Sequence, residues 1–366
     1  MKFICTQDNL ERGLARVAPL AGRNLQLAAL TQVLCRAKEG AMELVGTDLE
    51  VGVQTVVPGK VEEEGSCTVT ARTLFDYVQQ LPGSNPVVFS VKGTSATVKT
   101  EGFQASFPTG EVDDFPLLPE VAREGAVKVA GKNFCKAVAD VAYAAAKDMT
   151  RPEIHSVLVA GKGKELWVAA TDSFRLSEEI LAREGEEADF SLLLPLAAAQ
   201  EIVRLFSQQE KVMIFPQESH VTLQGEGLEM TSRLMEGRYP DYRQIIPKKH
   251  LLEGVVDRAA MSQALKTLSV FLPRDSRRMK CVFSPDKGKL SMSVGGERGE
   301  GEVEVELEGK GEEQEVFFNI QYLLEGMQHL PGDSVKMQVG GGQDPAVFSP
   351  GEGARKTLYV VMPIQA

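Results

Sequence analysis

The sequence predicts an α+β protein of three tandem homologous domains, each made of antiparallel strands and two helices. Three observations carry that prediction: a recurrence at a spacing of 124 residues, six apolar stripes at helical spacing, and short β-branched runs set off by glycine and charged turns. Thr47-Asp48 returns as Thr171-Asp172, and the strands before them align as Met42-Glu43-Leu44, Leu166-Trp167-Val168 and Leu290-Ser291-Met292. Upstream, Val33-Leu34 matches Val157-Leu158 and Val282-Phe283. Downstream, Phe115-Pro116 matches Tyr239-Pro240 and, more loosely, Met362-Pro363. The repeats set domains at residues 1–123, 124–249 and 250–366.

The helices follow from apolar residues at i, i+4 and i+7, which place one stripe against a core. The first helix of each domain carries Leu10/Leu14/Val17, Phe134/Val138/Val141 or Met261/Leu265/Leu268, and the second carries Leu74/Val78/Leu81, Ala198/Ile202/Leu205 or Leu323/Met327/Leu330. The windows are 7–18, 71–81, 131–146, 195–206, 258–270 and 319–330. Elsewhere, runs such as Val87-Val88-Phe89-Ser90-Val91 before Lys92-Gly93, and Val335 to Val339 before three glycines, read as meander strands. Residues 358–364 read as one final strand.

Composition narrows the function classes. With 43% hydrophobic and 25% charged residues over 366 positions, a disordered or fibrous chain is excluded. No apolar run reaches the length of a membrane span, and the start Met1-Lys2-Phe3-Ile4-Cys5 turns polar too soon for a secretory signal, so a cytoplasmic protein is expected. Five widely spaced cysteines without a CxxC pair predict reduced, buried thiols. Four histidines without HxxxH spacing, and the lack of a Walker loop or GxSxG elbow, argue against an enzyme or a metal site. No cofactor is expected. Asp48 and Asp172 read as turn or helix caps, and Gly340-Gly341-Gly342 as a turn.

The net charge of -11 opposes nucleic-acid binding, but its distribution matters more than its sum. The six helical windows hold eight cationic and six anionic side chains, a balance of +2, so strands and loops carry the acidity. If the helices share a face, that face is mildly basic on an acidic body. A repeat scaffold that binds proteins but not nucleic acid is the alternative reading.

Met1-Lys2-Phe3, Gly46-Thr47-Asp48-Leu49-Glu50, Ala170-Thr171-Asp172 with Arg175-Leu176, Gly237-Arg238-Tyr239-Pro240-Asp241-Tyr242 and Tyr359-Val360-Val361-Met362-Pro363, in this order, resemble the bacterial sliding clamps, the beta subunits of DNA polymerase III. The resemblance runs end to end. It implies the DNA-clamp fold, a head-to-tail homodimer closed into a ring, with sheets outside and two helices per domain lining the hole. Twelve helices about 10 Å apart make a circle about 38 Å across, or about 28 Å free, which admits a duplex about 20 Å wide; six would leave about 9 Å. The implied function is a processivity factor that tethers the replicative polymerase to duplex DNA without catalysing any step.

The resemblance also implies sites. Arg23, Arg72, Lys147 and Arg151 are the candidate DNA contacts, of the sequence-independent kind that sliding requires, whereas Ala197 stands where many members have lysine. A partner-peptide pocket would comprise Ile154, Thr171, Phe174, Arg175, Leu176, Pro240, Ile245, Asn319, Tyr322, Val360, Val361, Met362, Pro363 and Ile364. Its implied clients are the polymerase catalytic subunit, the clamp loader, repair polymerases and mismatch-repair proteins. Ser173-Phe174 replaces a frequent Gly-His, Pro152-Glu153 an aromatic pair, and Gln244 a common basic residue, so a bulkier and less positive pocket is expected. At the ring joint, Phe271 and Leu272 would meet Phe107, with Gln104 where a basic partner is common and the acidic alternation Glu300, Glu302, Glu304, Glu306 nearby.

Overall fold

The computed structural model describes the chain except residues 24–26, 84, 120–122, 186, 188, 273–276, 297–298, 353–355 and 366. Among the described residues the α-helices are α1 (Gln7–Val17), α2 (Ala71–Gln79), α3 (Gly131–Ala142), α4 (Leu196–Phe206), α5 (Arg258–Ser269) and α6 (Ile320–His329). Each begins where a strand ends, and the residue at that corner often supplies the cap. Thr6 accepts from the Asn9 amide, Asp257 from Ala260 at 2.7 Å, and Asn319 from Gln321 at 3.0 Å. All eighteen stripe residues are buried, which is what stabilises helices of this length in water. Two helices end before the last residue of their stripes, α2 at Gln79 and α6 at His329; α3 holds its whole stripe but stops at Ala142, inside the window 131–146, and the Tyr143 carbonyl accepts from the Arg175 guanidinium at 2.9 Å.

The chain forms two compact units, residues 1–132 with 204–234 and residues 133–203 with 235–366. In the first, antiparallel strands run in the order Val127–Ala130, Lys211–Pro216, His220–Gly225, Leu228–Arg233, Val51–Pro58, Ala41–Thr47, Gln32–Lys38, Gly65–Thr70, Phe103–Gly110, Ser95–Thr100, Pro86–Lys92, Lys2–Thr6 and Lys60–Glu63. The second unit has a nine-stranded sheet, Phe190–Pro195, Ser156–Lys162, Glu165–Thr171, Arg175–Ala182, Lys356–Val361, Ala346–Pro350, Ser334–Val339, Leu252–Asp257 and Glu308–Gly311. It also has a four-stranded sheet, Gly299–Glu306, Lys289–Gly296, Arg278–Ser284 and Gln314–Asn319.

One junction occurs twice. Val51–Pro58 pairs with Leu228–Arg233, and Arg175–Ala182, which begins 124 residues later, pairs with Lys356–Val361. The third strand of the series, Gly299–Glu306, ends its sheet and among the described residues pairs only with Lys289–Gly296. The last strand of the first repeat, Phe103–Gly110, touches Gly65–Thr70 only through Thr109 and Gly110, so Phe103 to Pro108 have one unpaired edge among the described residues.

The final strand corrects the sequence reading. It spans Lys356–Val361 instead of 358–364 and pairs on both sides within its sheet. Pro363 has no amide hydrogen to extend a ladder, and the residues around it find other acceptors: Met362 donates to the Phe174 carbonyl at 2.8 Å and Ile364 to Phe317 at 2.7 Å. Gly326 on α6 is set by this strand, since a Cβ there would stand 2.3 Å from the buried Tyr359 ring.

Candidate functional site

The repeated Thr-Asp motif makes the same turn twice. Thr47 Oγ1 donates to the Val51 carbonyl and Asp48 accepts the Glu50 and Val51 amides; Thr171 Oγ1 donates to the Arg175 carbonyl at 2.6 Å and Asp172 accepts the Phe174 and Arg175 amides. Both aspartates therefore cap turns, as an Asx side chain does. The third turn residue is left-handed in each, Leu49 at φ 77° and Ser173 at φ 77°. A glycine would occupy that position without strain; Ser173 holds it because the two side chains flanking the turn over-determine it.

In the second copy the turn lifts Phe174 into solvent at 62% exposure and turns Arg175 inward at 4%. The guanidinium pairs with Asp172 at 3.0 Å and with Glu325 of α6, donates to the Tyr143 carbonyl, and lies over the Tyr322 ring at 4.5 Å. Burial disfavours its charge, but the hydrogen bond to Glu325 and the surrounding negative groups, Asp172 among them, together outweigh that and hold the guanidinium above its ordinary pKa. Burial likewise opposes the charge on Glu325, yet hydrogen bonds from Arg175 and Gln321, with the positive charges of Arg175 and Lys147, leave its carboxyl below the usual range. Arg175 thus fastens the turn to α6.

Around this clamp the structure brings most of the sequence-predicted pocket residues together. Leu176 stands opposite Val360 and Arg175 opposite Val361 across paired strands. Leu176, Val360 and Ile154 share one apolar cluster with Tyr239 and Tyr242, whose rings meet edge to face at 6.1 Å. Thr171 is buried at the turn, Asn319 caps α6, and Tyr322 on that helix accepts the Tyr359 hydroxyl with its carbonyl at 2.8 Å. Of the remaining predicted residues, Pro240, Tyr322, Met362, Pro363 and Ile364 are half-buried, and Ile245 is 44% exposed.

The segment carrying Pro240 and Ile245 is latched by residues that sequence reasoning missed. Glu178, buried in the strand beside Leu176, accepts the Tyr242 hydroxyl and a two-pronged bond from Arg243 at 3.0 Å, and Arg243 lies 3.4 Å over the Trp167 ring. The sequence held one signal: Glu178-Glu179 are consecutive carboxylates inside a strand, where side chains alternate between faces. Both are buried, and Glu179 accepts from Thr357 at 3.1 Å.

The candidate DNA contacts are spread over the chain. Arg72 on α2 is exposed and holds Asp76 at 3.0 Å, while Arg23 stands 4.0 Å from Asp48. Lys147 is exposed just beyond α3. Arg151 bonds Glu153 at 3.1 Å and the Ser173 hydroxyl at 3.0 Å, so two of the positions where this chain departs from the sliding-clamp pattern hold it beside the pocket turn. Gln244, a third departure, donates to Asp241 at 2.6 Å. Of the joint candidates, Phe107 is buried edge-on to Tyr77, Leu272 is buried, and half-buried Phe271 covers the strand Gly299–Glu306, where a Cβ on Gly301 would lie 2.7 Å from its ring.

Tandem repeats that share a strand-to-strand junction, with helices leading from strand corners and a latched apolar site in the second unit, define a clamp-type α+β protein. Domain descriptions of the DNA polymerase III beta subunit match along the chain: the N-terminal domain over residues 1–119, the central domain over 128–241 and the C-terminal domain over 243–365. The beta sliding clamps of Synechococcus elongatus and a Synechocystis species are each 28% identical over 100% of this chain and 99% of their own. The crystal structure of DNA polymerase III subunit beta from Pseudomonas aeruginosa is 26% identical, covers both chains completely and superposes with a TM-score of 0.95. A structure of that organism's sliding clamp bound to griselimycin is 25% identical, with a TM-score of 0.95. The chain belongs to the DNA polymerase III beta subunit family, the DNA sliding clamps.

Proposed function

We propose that two copies of this chain join head to tail into a ring that encircles duplex DNA, slides on it and tethers the replicative polymerase. The carrying observation is the junction that occurs twice within one chain and leaves its two halves unpaired, on Gly299–Glu306 and on Phe103 to Pro108, among the described residues. Joining those edges between copies repeats the internal junction and closes the assembly by rotation, with Phe271, Leu272 and Phe107 beside the joint. The domains divide near residues 123 and 249, as the 124-residue recurrence suggests. Arg23, Arg72, Lys147 and Arg151 supply weak phosphate contacts, and no bond is made or broken.

In this reading Phe174, Ile245 and the half-buried rim receive a leucine or phenylalanine anchor from the polymerase, clamp loader or repair proteins, on a floor that Arg175 and Glu178 keep rigid. The protein works in the cytoplasm, and no described helix is long and apolar enough to cross a membrane. The test is retention on circular against linearised duplex after loading by a cognate clamp loader with ATP. Retention on circles and loss from linear ends supports encirclement. Equal retention on both overturns it, and binding to neither favours a protein scaffold, the reading that the net charge of -11 suits.

Replacing Phe174 by alanine separates docking from folding. Because the ring is largely in solvent, stability should move by less than about 0.5 kcal/mol. Affinity for a peptide with a leucine or phenylalanine anchor should fall about tenfold by titration calorimetry. Unchanged affinity would remove Phe174 from the pocket.

A further inference from the structure

Three of the five described cysteines are isolated thiols with ordinary explanations. Burial pushes Cys5 and Cys135 up to about 12 and Cys281 higher still, which makes them inert core side chains. Cys35 and Cys67 differ. They stand directly opposite each other on the antiparallel strands Gln32–Lys38 and Gly65–Thr70, with both side chains on one face. Directly opposed residues in such a ladder have Cα atoms about 4.5–5.5 Å apart, inside the span of about 4.4–6.8 Å that a disulfide bridges without backbone movement.

We propose that Cys35 and Cys67 form a dithiol modification site, oxidised to an intrachain disulfide by low-molecular-weight disulfides of the glutathione class. The roles follow from position. Cys67 is the last buried residue before the exposed pair Ser66 and Gly65, and the outer edge of its strand is paired with Phe103–Gly110 only from Thr68 onward. Fraying of that short end brings Cys67 to solvent while Cys35, wholly buried in the adjoining strand, stays behind as the resolving thiol. The neighbouring Cys35 thiol favours the Cys67 thiolate and holds it below its ordinary pKa against the opposing effect of burial, while the Cys67 neighbour, with burial, raises Cys35.

The chemistry closes on two exchanges. The Cys67 thiolate attacks one sulfur of the small disulfide, forms a mixed disulfide and expels one thiolate, which takes up the Cys67 proton. Cys35 then loses its proton, attacks the Cys67 sulfur and expels the second small thiol. Two electrons pass from the protein sulfurs to the small disulfide, and two small thiols are released. The new bond ties two strands that enclose the stretch 36–66, the second of which runs directly into α2. Closing a loop of that length raises the resistance of the unit to unfolding.

The test uses the full reduced chain under native conditions with glutathione disulfide. The expected result is a fall from five titratable thiols to three, an intact mass lower by two hydrogens, a linked pair of proteolytic fragments carrying residues 35 and 67, and a higher melting temperature that dithiothreitol reverses. Cys35→Ser should stop at a stable mixed disulfide, with one glutathionyl group on Cys67, and Cys67→Ser should remain unmodified. Alanine replacements serve in place of any serine variant that loses its cooperative melt. Five thiols still reduced in the native wild-type chain, a linkage through Cys5, Cys135 or Cys281, or equal modification of the Cys67→Ser variant would each overturn the proposal.

Discussion

Arg175→Ala should cost roughly 3 kcal/mol of stability, read as a lower urea midpoint with an unchanged slope. The side chain is almost fully buried and faces Asp172, Glu325, the Tyr143 carbonyl and the Tyr322 ring. Alanine would leave two carboxylates and a carbonyl without their donor, and it is this stranding, more than the loss of the pair itself, that is expensive. The expected cost sits at the lower end for a broken buried pair because Asp172 and Glu325 keep some contact with water, at side-chain exposures of 15% and 21%. Lysine should rescue only part of it, since one ammonium cannot reproduce a planar fork that grips two carboxylates and stacks on a ring. The double variant Arg175→Met with Glu325→Leu should recover much of the loss, and additive costs in that cycle would show that the two side chains do not interact.

The same clamp predicts a limb in the acid stability profile. Glu325 is lowered in the folded chain from an ordinary value of 4.5, so its contribution is fully present above about pH 4.5 and is lost as pH falls through the folded value below that. Glu325→Gln should flatten this limb while leaving the neutral plateau lower. An unchanged acid limb in that variant would place the titration elsewhere.

Glu178→Ala is the second large effect. Its carboxylate receives the Tyr242 hydroxyl and the Arg243 fork, and Arg243 in turn covers Trp167. Burial, strengthened by the neighbouring Glu178 charge, keeps the Tyr242 phenol above its ordinary pKa, so that hydroxyl stays protonated and donates. Loss of the acceptor leaves a buried hydroxyl unpaired and releases the segment that carries Pro240 and Ile245. We expect about 2–3 kcal/mol of destabilisation together with a peptide affinity lower by about tenfold or more. Tyr242→Phe should lose less than Glu178→Ala, since it removes one bond and leaves the Arg243 fork in place. Arg243→Ala should also be milder, because 39% of that side chain is already in solvent. A Glu178→Ala chain that binds peptide at full affinity would show that the latch does not position the docking surface.

What the sequence by itself determined is everything that depends on local period and local repetition. An apolar residue at i, i+4 and i+7 buries one helical face whatever it meets, so all six helices and their buried stripes were legible, and so was the Thr-Asp turn, whose hydrogen bonds close within five residues. The tertiary structure alone decided the long-range partners. Nothing near Arg175 in the chain points to Glu325, 150 residues away, or to the Tyr143 carbonyl just beyond the end of α3. Nothing in the spacing of the cysteines sets Cys35 opposite Cys67, and nothing in the charge of Arg151 sends it to Ser173. The final strand looked free to run to Ile364, but Pro363 has no amide hydrogen to continue the ladder, and the flanking amides of Met362 and Ile364 donate instead to the carbonyls of Phe174 and Phe317. Periodicity fixes which face of an element is buried, because that depends only on backbone geometry. Which element covers it, and which charges are trapped there, depends on chain closure over many residues, for which no local pattern carries a signal.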